Sequence, residues 1–339
     1  MRVVRPFPAR VVRPEWARRL VSGLAELPED TGTLPPVAPP DPAAYDEAEA
    51  ALYVYRQGDH VGVVGDVDVR AFVAGLVRGH EAVQAQRVDS LVRHMETDAP
   101  PALVALLHRA GPAYAASVAQ AGATEPLLDF AGPGGLRQQV WRLAPDVTAE
   151  LTEELATAEL YVADGHHRVA AALAAWHREG EPAGAGVLCV VHPMHGLRLS
   201  AFHRRVIGPL DATTLWGVLA PGFRVTPAPA APSPGPGSFG LYAGGGWHHV
   251  APHAAAARLD VEVLQAQVLD RLAQLVEIAP ARTPVDELTR RCDADGGALF
   301  TLAPPPLDAL TGRADAGEVM PPKTTYFEPK PCAGIFRRP

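Results

Sequence analysis

Lysine is almost missing from this chain. Of its 30 basic residues two are lysine, Lys323 and Lys330, and the other 28 are arginine. A composition so rich in Ala, Arg, Pro and Gly is that of a chain in which replaceable lysines have become arginines, so the two that remain, seven residues apart in one short segment, mark a place where a compact ammonium is needed. Basic charge is also short overall: 30 Lys and Arg stand against 38 Asp and Glu, for a net charge of −8. That balance removes any global attraction to nucleic acid or to an anionic membrane, and neither is expected as a partner. Apolar runs long enough to span a bilayer are absent, and Met1-Arg2-Val3-Val4-Arg5-Pro6 lacks the apolar stretch of a signal peptide, so a soluble, cytoplasmic protein is expected. Cysteine is scarce: Cys189, Cys292 and Cys332 lie far apart and form no CxxC pair, which excludes a disulfide framework and a thiolate zinc site. Internal repeats, a Walker-type loop and a GxGxxG motif are all missing. A bound nucleotide would therefore need another cradle.

What is present is a globular composition, 47% hydrophobic and 20% charged, over 339 residues, enough for two domains. The most informative stretch is Tyr161-Val162-Ala163-Asp164-Gly165-His166-His167-Arg168. An apolar run ending in Asp-Gly reads as a buried strand that turns sharply, and Val169, Leu173 and Trp176 then follow at i, i+4 and i+7 as one face of a helix. The first turn of a helix carries unpaired N–H groups and about half a positive charge, which suits an anion, most often a phosphate. Gly165 lets the backbone come close, and Arg168 offers a bidentate fork. Asp, Gly, His, His and Arg in unbroken succession at such a junction point to phosphate binding rather than to an ordinary turn.

Along the rest of the chain, Pro14 to Leu27 has helical spacing of Trp16, Leu20, Leu24 and Leu27, and 35–40 is a stiff proline connector. Residues 51–57 and 61–65 form a strand pair joined by Gly58-Asp59-His60. Asp68 caps a short helix with Phe72 and Leu76 inward, and a second helix follows His80-Glu81 with Val88, Leu91, Val92 and Met95 on one side. Strands are expected at 103–107 and 139–143, a helix at 146–155, and Val187 to Val191 as the strand that completes a βαβ unit. The pair His192 and His195 has no third ligand, so a metal there is disfavoured. Residues 227–238 are a proline-rich loop, 239–242 and 247–250 a hairpin, Val261 to Leu275 an amphipathic helix and 298–302 a late strand.

Three islands carry a family resemblance: Tyr53-Val54-Tyr55-Arg56-Gln57 with His80-Glu81 and Arg87, the 161–168 stretch, and Met320-Pro321-Pro322-Lys323-Thr324-Thr325-Tyr326-Phe327-Glu328-Pro329-Lys330. Together they resemble the SerK-like proteins catalogued as domain of unknown function 1015. The resemblance implies an α/β (mixed α+β) fold: a ParB/sulfiredoxin-like nucleotide-binding core over residues 1–210, and a C-terminal α+β subdomain over 211–339 whose last segment returns to the core. It also implies a kinase of free L-serine or a related hydroxyl metabolite that uses ATP or ADP with Mg2+. The kinases of this family place a catalytic glutamate in the N-terminal region, and here Glu26, Glu29 and Asp30 all stand in the corresponding stretch.

The site expected on these grounds has the backbone of Gly165, His166 and His167 with Arg168 on the phosphates, joined by Arg56 and Lys323. Asp164 or Glu81 binds magnesium or takes the hydroxyl proton, and His166 or His167 donates to a phosphate oxygen, which makes Glu81, Asp164 and His167 the catalytic candidates. The partners expected are a nucleotide and a small-molecule substrate, with the oligomeric state open and a homodimer allowed. A nucleotide-binding regulatory module of ParB-like type, without turnover, is the alternative. Phosphoester hydrolysis at a His-rich metal centre lacks the ligand spacing.

Overall fold

Short apolar runs such as Val104–His108 and Leu160–Asp164 form strands buried along nearly their whole length, and one large sheet positions the candidate corner. The structure is a computed structural model that describes residues 2–23, 41–95, 102–254, 258–280 and 282–339. It falls into two units, Met1–Arg198 with Pro329–Pro339, and Leu199–Glu328.

In the first unit the strands are β1 (Val4–Arg5), β2 (Phe7–Val12), β3 (Tyr45–Ala51), β4 (Tyr53–Gln57), β5 (His60–Asp68), β6 (Val77–Arg78), β7 (Val104–His108), β8 (Leu128–Ala131), β9 (Arg137–Arg142), β10 (Leu160–Asp164) and β11 (Gly186–Pro193). The helices are α1 (Pro14–Leu20), α2 (Val69–Val73), α3 (Ala85–Met95), α4 (Pro112–Gly122), α5 (Pro145–Ala156) and α6 (His166–Arg178). The main sheet runs β6-β10-β7-β11-β5-β4-β9-β8, with β1 on β5. Its core holds Leu52, Val54, Val63, Val104, Leu106, Leu160, Val162 and Val191, with Val169 of α6 against them. Burying each such side chain contributes about 1.5–3 kcal/mol.

The expected hairpin is present as β4 and β5, with Gln57 opposite His60. Asp68 caps α2 by accepting the Arg70 N–H at 2.9 Å. Leu76 is not inward: α2 ends at Val73, so helical spacing no longer governs it, and it is exposed, as is Met95 at the end of α3. The expected βαβ unit is corrected. β10 is antiparallel to β7 and β11 parallel to it, so β7 separates the two strands and they run in opposite directions. After α6 the chain turns again through Gly180 and Gly184, both at positive φ, and so enters β11 from the other end. The N-terminal helix expected to reach Leu27 ends at Leu20, because Val21 turns extended and Ser22 bridges Ala333; Leu24, Leu27, the connector at 35–40 and the carboxylates Glu26, Glu29 and Asp30 lie outside the described residues.

The second unit contains β13 (Phe202–Val206), α7 (Ala212–Leu219), β14 (Phe223–Ala228), β15 (Phe239–Ala243), β16 (Gly246–Pro252), α8 (Asp260–Leu264), α9 (Asp270–Leu272), β17 (Val276–Pro280), α10 (Val285–Asp295), β18 (Ala298–Leu302) and α11 (Leu307–Asp315). A short pair, β12 (Arg198–Ser200) and β19 (Tyr326–Glu328), lies apart from its six-stranded sheet, which runs β14-β16-β15-β18-β13-β17. The boundary sits at 199 rather than 211 because β13 pairs with β17 and β18 and so belongs to this sheet. The single amphipathic helix expected over 261–275 is broken. A π-helical turn at Gln265–Leu269 joins α8 to α9, the chain leaves the helix at Ala273 (φ 51°), and Leu275 is exposed.

The last residues, 329–339, rejoin the first unit. There β20 (Phe336–Arg337) pairs with β2, and Cys332, Ile335 and Phe336 are buried.

Candidate phosphate corner

β10 delivers Asp164 to the end of its strand, and the turn that follows needs glycine. Gly165 sits at φ 108°, and a Cβ there would stand 3.0 Å from the Arg168 guanidinium. α6 then begins with His166, His167 and Arg168 as its first three residues, and no side chain caps it.

Asp164 and Arg168 are four apart across this turn, and the fork of Arg168 is divided between them and the neighbouring strand end. Its Nη2 donates to Asp164 Oδ2 and its Nη1 to the Leu103 carbonyl. The other carboxylate oxygen of Asp164 accepts from Lys330 Nζ. Burial raises the Asp164 carboxyl, but Lys330 and Arg168 outweigh it and hold the group down at about 2. One carboxylate thus faces two cations at the positive end of a helix. The corner carries surplus positive charge.

The segment between β6 and α3 closes the other side. The His80 N–H donates to His166 Nε2 at 3.2 Å, and the two rings meet edge-on with centroids 4.5 Å apart. Gly79 makes this approach possible, since a Cβ there would lie 3.2 Å from His166 Cδ2. The Gln84 N–H donates to His167 Nε2 at 3.0 Å. Burial pushes His166 down to about 4 and His80 well below the ordinary histidine range, so both rings are neutral at neutral pH. His166 and His167 both accept through Nε2. The donor to a phosphate oxygen expected of either ring is therefore confined to Nδ1–H.

The sequence matches the family described as "Protein of unknown function (DUF1015)" over residues 44–272. The chain belongs to that family. No curated protein matches it. Among solved structures it is similar to a C-terminally truncated SbnI from Staphylococcus aureus, with 14% identity, 80% of this chain and 85% of that one covered, and a TM-score of 0.45. It is also similar to a free serine kinase in complex with AMP, with 12% identity, 85% and 92% covered, and a TM-score of 0.42. A conserved hypothetical protein from Pyrococcus furiosus has 14% identity, 84% and 94% covered, and a TM-score of 0.39.

Of the residues expected at the site, Asp164, Gly165, His166, His167 and Arg168 form the corner. Glu81 lies on its rim, between His80 and Gln84, which both touch α6. Arg56 is not brought there. Side chains alternate along β4, and Tyr55 and Gln57 face the returning tail, so Arg56 faces the other way, with its guanidinium over the Trp141 ring at 5.5 Å. Lys323 belongs to the second unit, with φ 58° and Nζ 5.1 Å from the Phe202 ring centre. The lysine that meets Asp164 is Lys330, which the sequence reading left out of the site although its rarity marked it.

A magnesium site made of Asp164 and Glu81 does not fit this arrangement, because both Asp164 oxygens are held by cations. Among the described residues no group of three or more His, Cys, Asp or Glu is placed to hold a metal ion.

Proposed function

We propose that this protein is a nucleotide-dependent phosphotransferase that moves a phosphoryl group from ATP or ADP to the hydroxyl of a small metabolite, free L-serine or a close relative of it. One observation carries the reading: an uncapped helix start, opened by a left-handed glycine, with two cations gathered around one carboxylate. Phosphoryl transfer needs mostly positioning and charge neutralisation, and this corner supplies both. The backbone N–H groups at the start of α6 hold the phosphates. Lys330 and Arg168 neutralise the charge that develops on them, and Asp164 keeps the two cations in place. With its carboxyl near 2, Asp164 is too weak a base to take a hydroxyl proton at neutral pH, so Glu81 on the rim is the candidate for that role. No step in this scheme runs through magnesium.

A second reading, a nucleotide-binding regulatory module without turnover, gains from the same geometry. Asp164 is fully engaged by cations and not free for catalysis. One assay separates the two. Purified protein is incubated with MgATP or MgADP and a panel of hydroxyl amino acids, and phosphoamino acid is sought. Product supports the kinase; nucleotide binding without product supports the regulatory module; absence of nucleotide binding contradicts both.

A further inference from the structure

A cavity of about 390 Å3 lies within the second unit, and nothing in the phosphotransfer reading uses it. It is bounded by α7, by the turn between β15 and β16, and by the end of α10, with Leu215, Trp216, Gly244, Gly245, Cys292 and Asp293 among its walls. Its size is in the range of small-molecule sites. We propose that this cavity binds a small organic ammonium ion, a primary aliphatic amine in its protonated form.

Three features converge on that chemistry. Trp216 is a large aromatic left 36% exposed at the cavity, steadied edge-on by the His248 ring 5.0 Å away. An aromatic face of this kind attracts a cation. Asp293, exposed near the end of α10, accepts the Tyr242 hydroxyl at 2.8 Å, and among the described residues no cationic side chain pairs with it. The end of an eleven-residue helix adds partial negative charge.

The surrounding charges do not cancel this. Arg205 is held by Glu277 and Asp295, and Arg291 by Glu277 and Glu287. With Asp293 these make four carboxylates against two arginines. The field in the cavity is therefore that of an anion. Gly244 and Gly245, both at positive φ, keep the turn free of side chains and leave the mouth open. Apolar Leu215 and Cys292 provide a wall for an alkyl chain.

The test is a titration of the full chain with n-butylammonium chloride, with n-butanol as the neutral control, followed by calorimetry and by tryptophan fluorescence. Saturable binding of butylammonium is expected in the millimolar range, about −4 kcal/mol, with none for butanol. Asp293→Asn should weaken it about tenfold or more, the loss of one charge-assisted contact. Trp216→Leu should weaken it and remove the fluorescence change. Asp286→Asn, on the same helix but paired with Arg290, should leave it unchanged. Equal binding of butanol, full binding by a folded Asp293→Asn, or no saturation at all would each overturn the assignment. Because the readout is binding of an amine and not phosphoryl transfer, it stands or falls apart from the function proposed above.

Discussion

Three histidines make the first unit sensitive to acid. His166, His108 and His192 are each pushed down to about 4, in every case first by burial. His108 is fully buried, and neither ring nitrogen has a hydrogen-bond partner. His192 donates its Nδ1–H to the Val61 carbonyl at 2.9 Å, which fixes the tautomer of this buried ring. The sign follows from linkage. The folded values lie below the ordinary 6.5, so the unfolded chain takes up protons first, and stability is full above pH 6.5 and lost as pH falls toward 4. Each ring contributes at most about 3 kcal/mol across that window. Thermal melts between pH 8 and 4.5 should therefore show Tm falling steadily below about pH 6.5. A Tm that stays level down to pH 5 would show that these rings are not held neutral in the fold. At this scale the sequence was readable for chemistry but not for pairing. Asp164 to Arg168 stood out as a run, whereas the engagement of Lys330 with Asp164 joins residues 166 positions apart, and no local pattern encodes that.

The junction of β10 and α6 is the element that local sequence specified best. A buried strand, a left-handed glycine and an amphipathic helix follow one another as the spacing implied, with Val169 and Trp176 buried on the inner face. Gly165→Ala should break it. An L side chain at φ 108° is strained, and its Cβ would press on Arg168, so a loss of about 1–3 kcal/mol is expected in urea unfolding, together with weaker phosphate binding. Wild-type stability in that variant would mean the turn is made differently. Elements whose geometry depends on distant partners were less legible. The β10-α6-β11 segment reads as a parallel unit from its apolar runs, but β7, contributed some fifty residues earlier, takes the place between the two strands. The helix expected over 261–275 is also altered: its apolar spacing is sound up to Leu272, but a π-helical turn at Gln265–Leu269 interrupts it, and the spacing does not encode that turn.

At the scale of the whole molecule, the return of the C-terminal tail is what completes the corner. Phe336 is buried among Phe7, Tyr53 and Tyr55, and Gln57 donates to the Lys330 carbonyl, so the tail is fixed on one side by aromatic packing and on the other by the Asp164 ion pair. Phe336→Ala should cost about 3–5 kcal/mol in chemical unfolding and weaken nucleotide binding by loosening Lys330. A loss under about 1 kcal/mol would show that the tail is not anchored there. The family resemblance carried by the three sequence islands implied a last segment that comes back to the core, and residues 329–339 do so. The boundary between units was harder to read, because β13 follows β11 and β12 closely in sequence and only its pairing with β17 and β18 assigns it to the second sheet.

The central claim is that the start of α6, with Lys330 and Arg168 beside it, is built to hold a phosphate chain. Calorimetric titration of ADP into the wild-type protein and into Lys330→Gln tests it most directly. The account expects wild-type binding that weakens as salt rises and an affinity about tenfold or more lower in the variant, the cost of one lost charge-assisted contact. Equal affinity in the two folded proteins, or no ADP binding by the wild type, would contradict it.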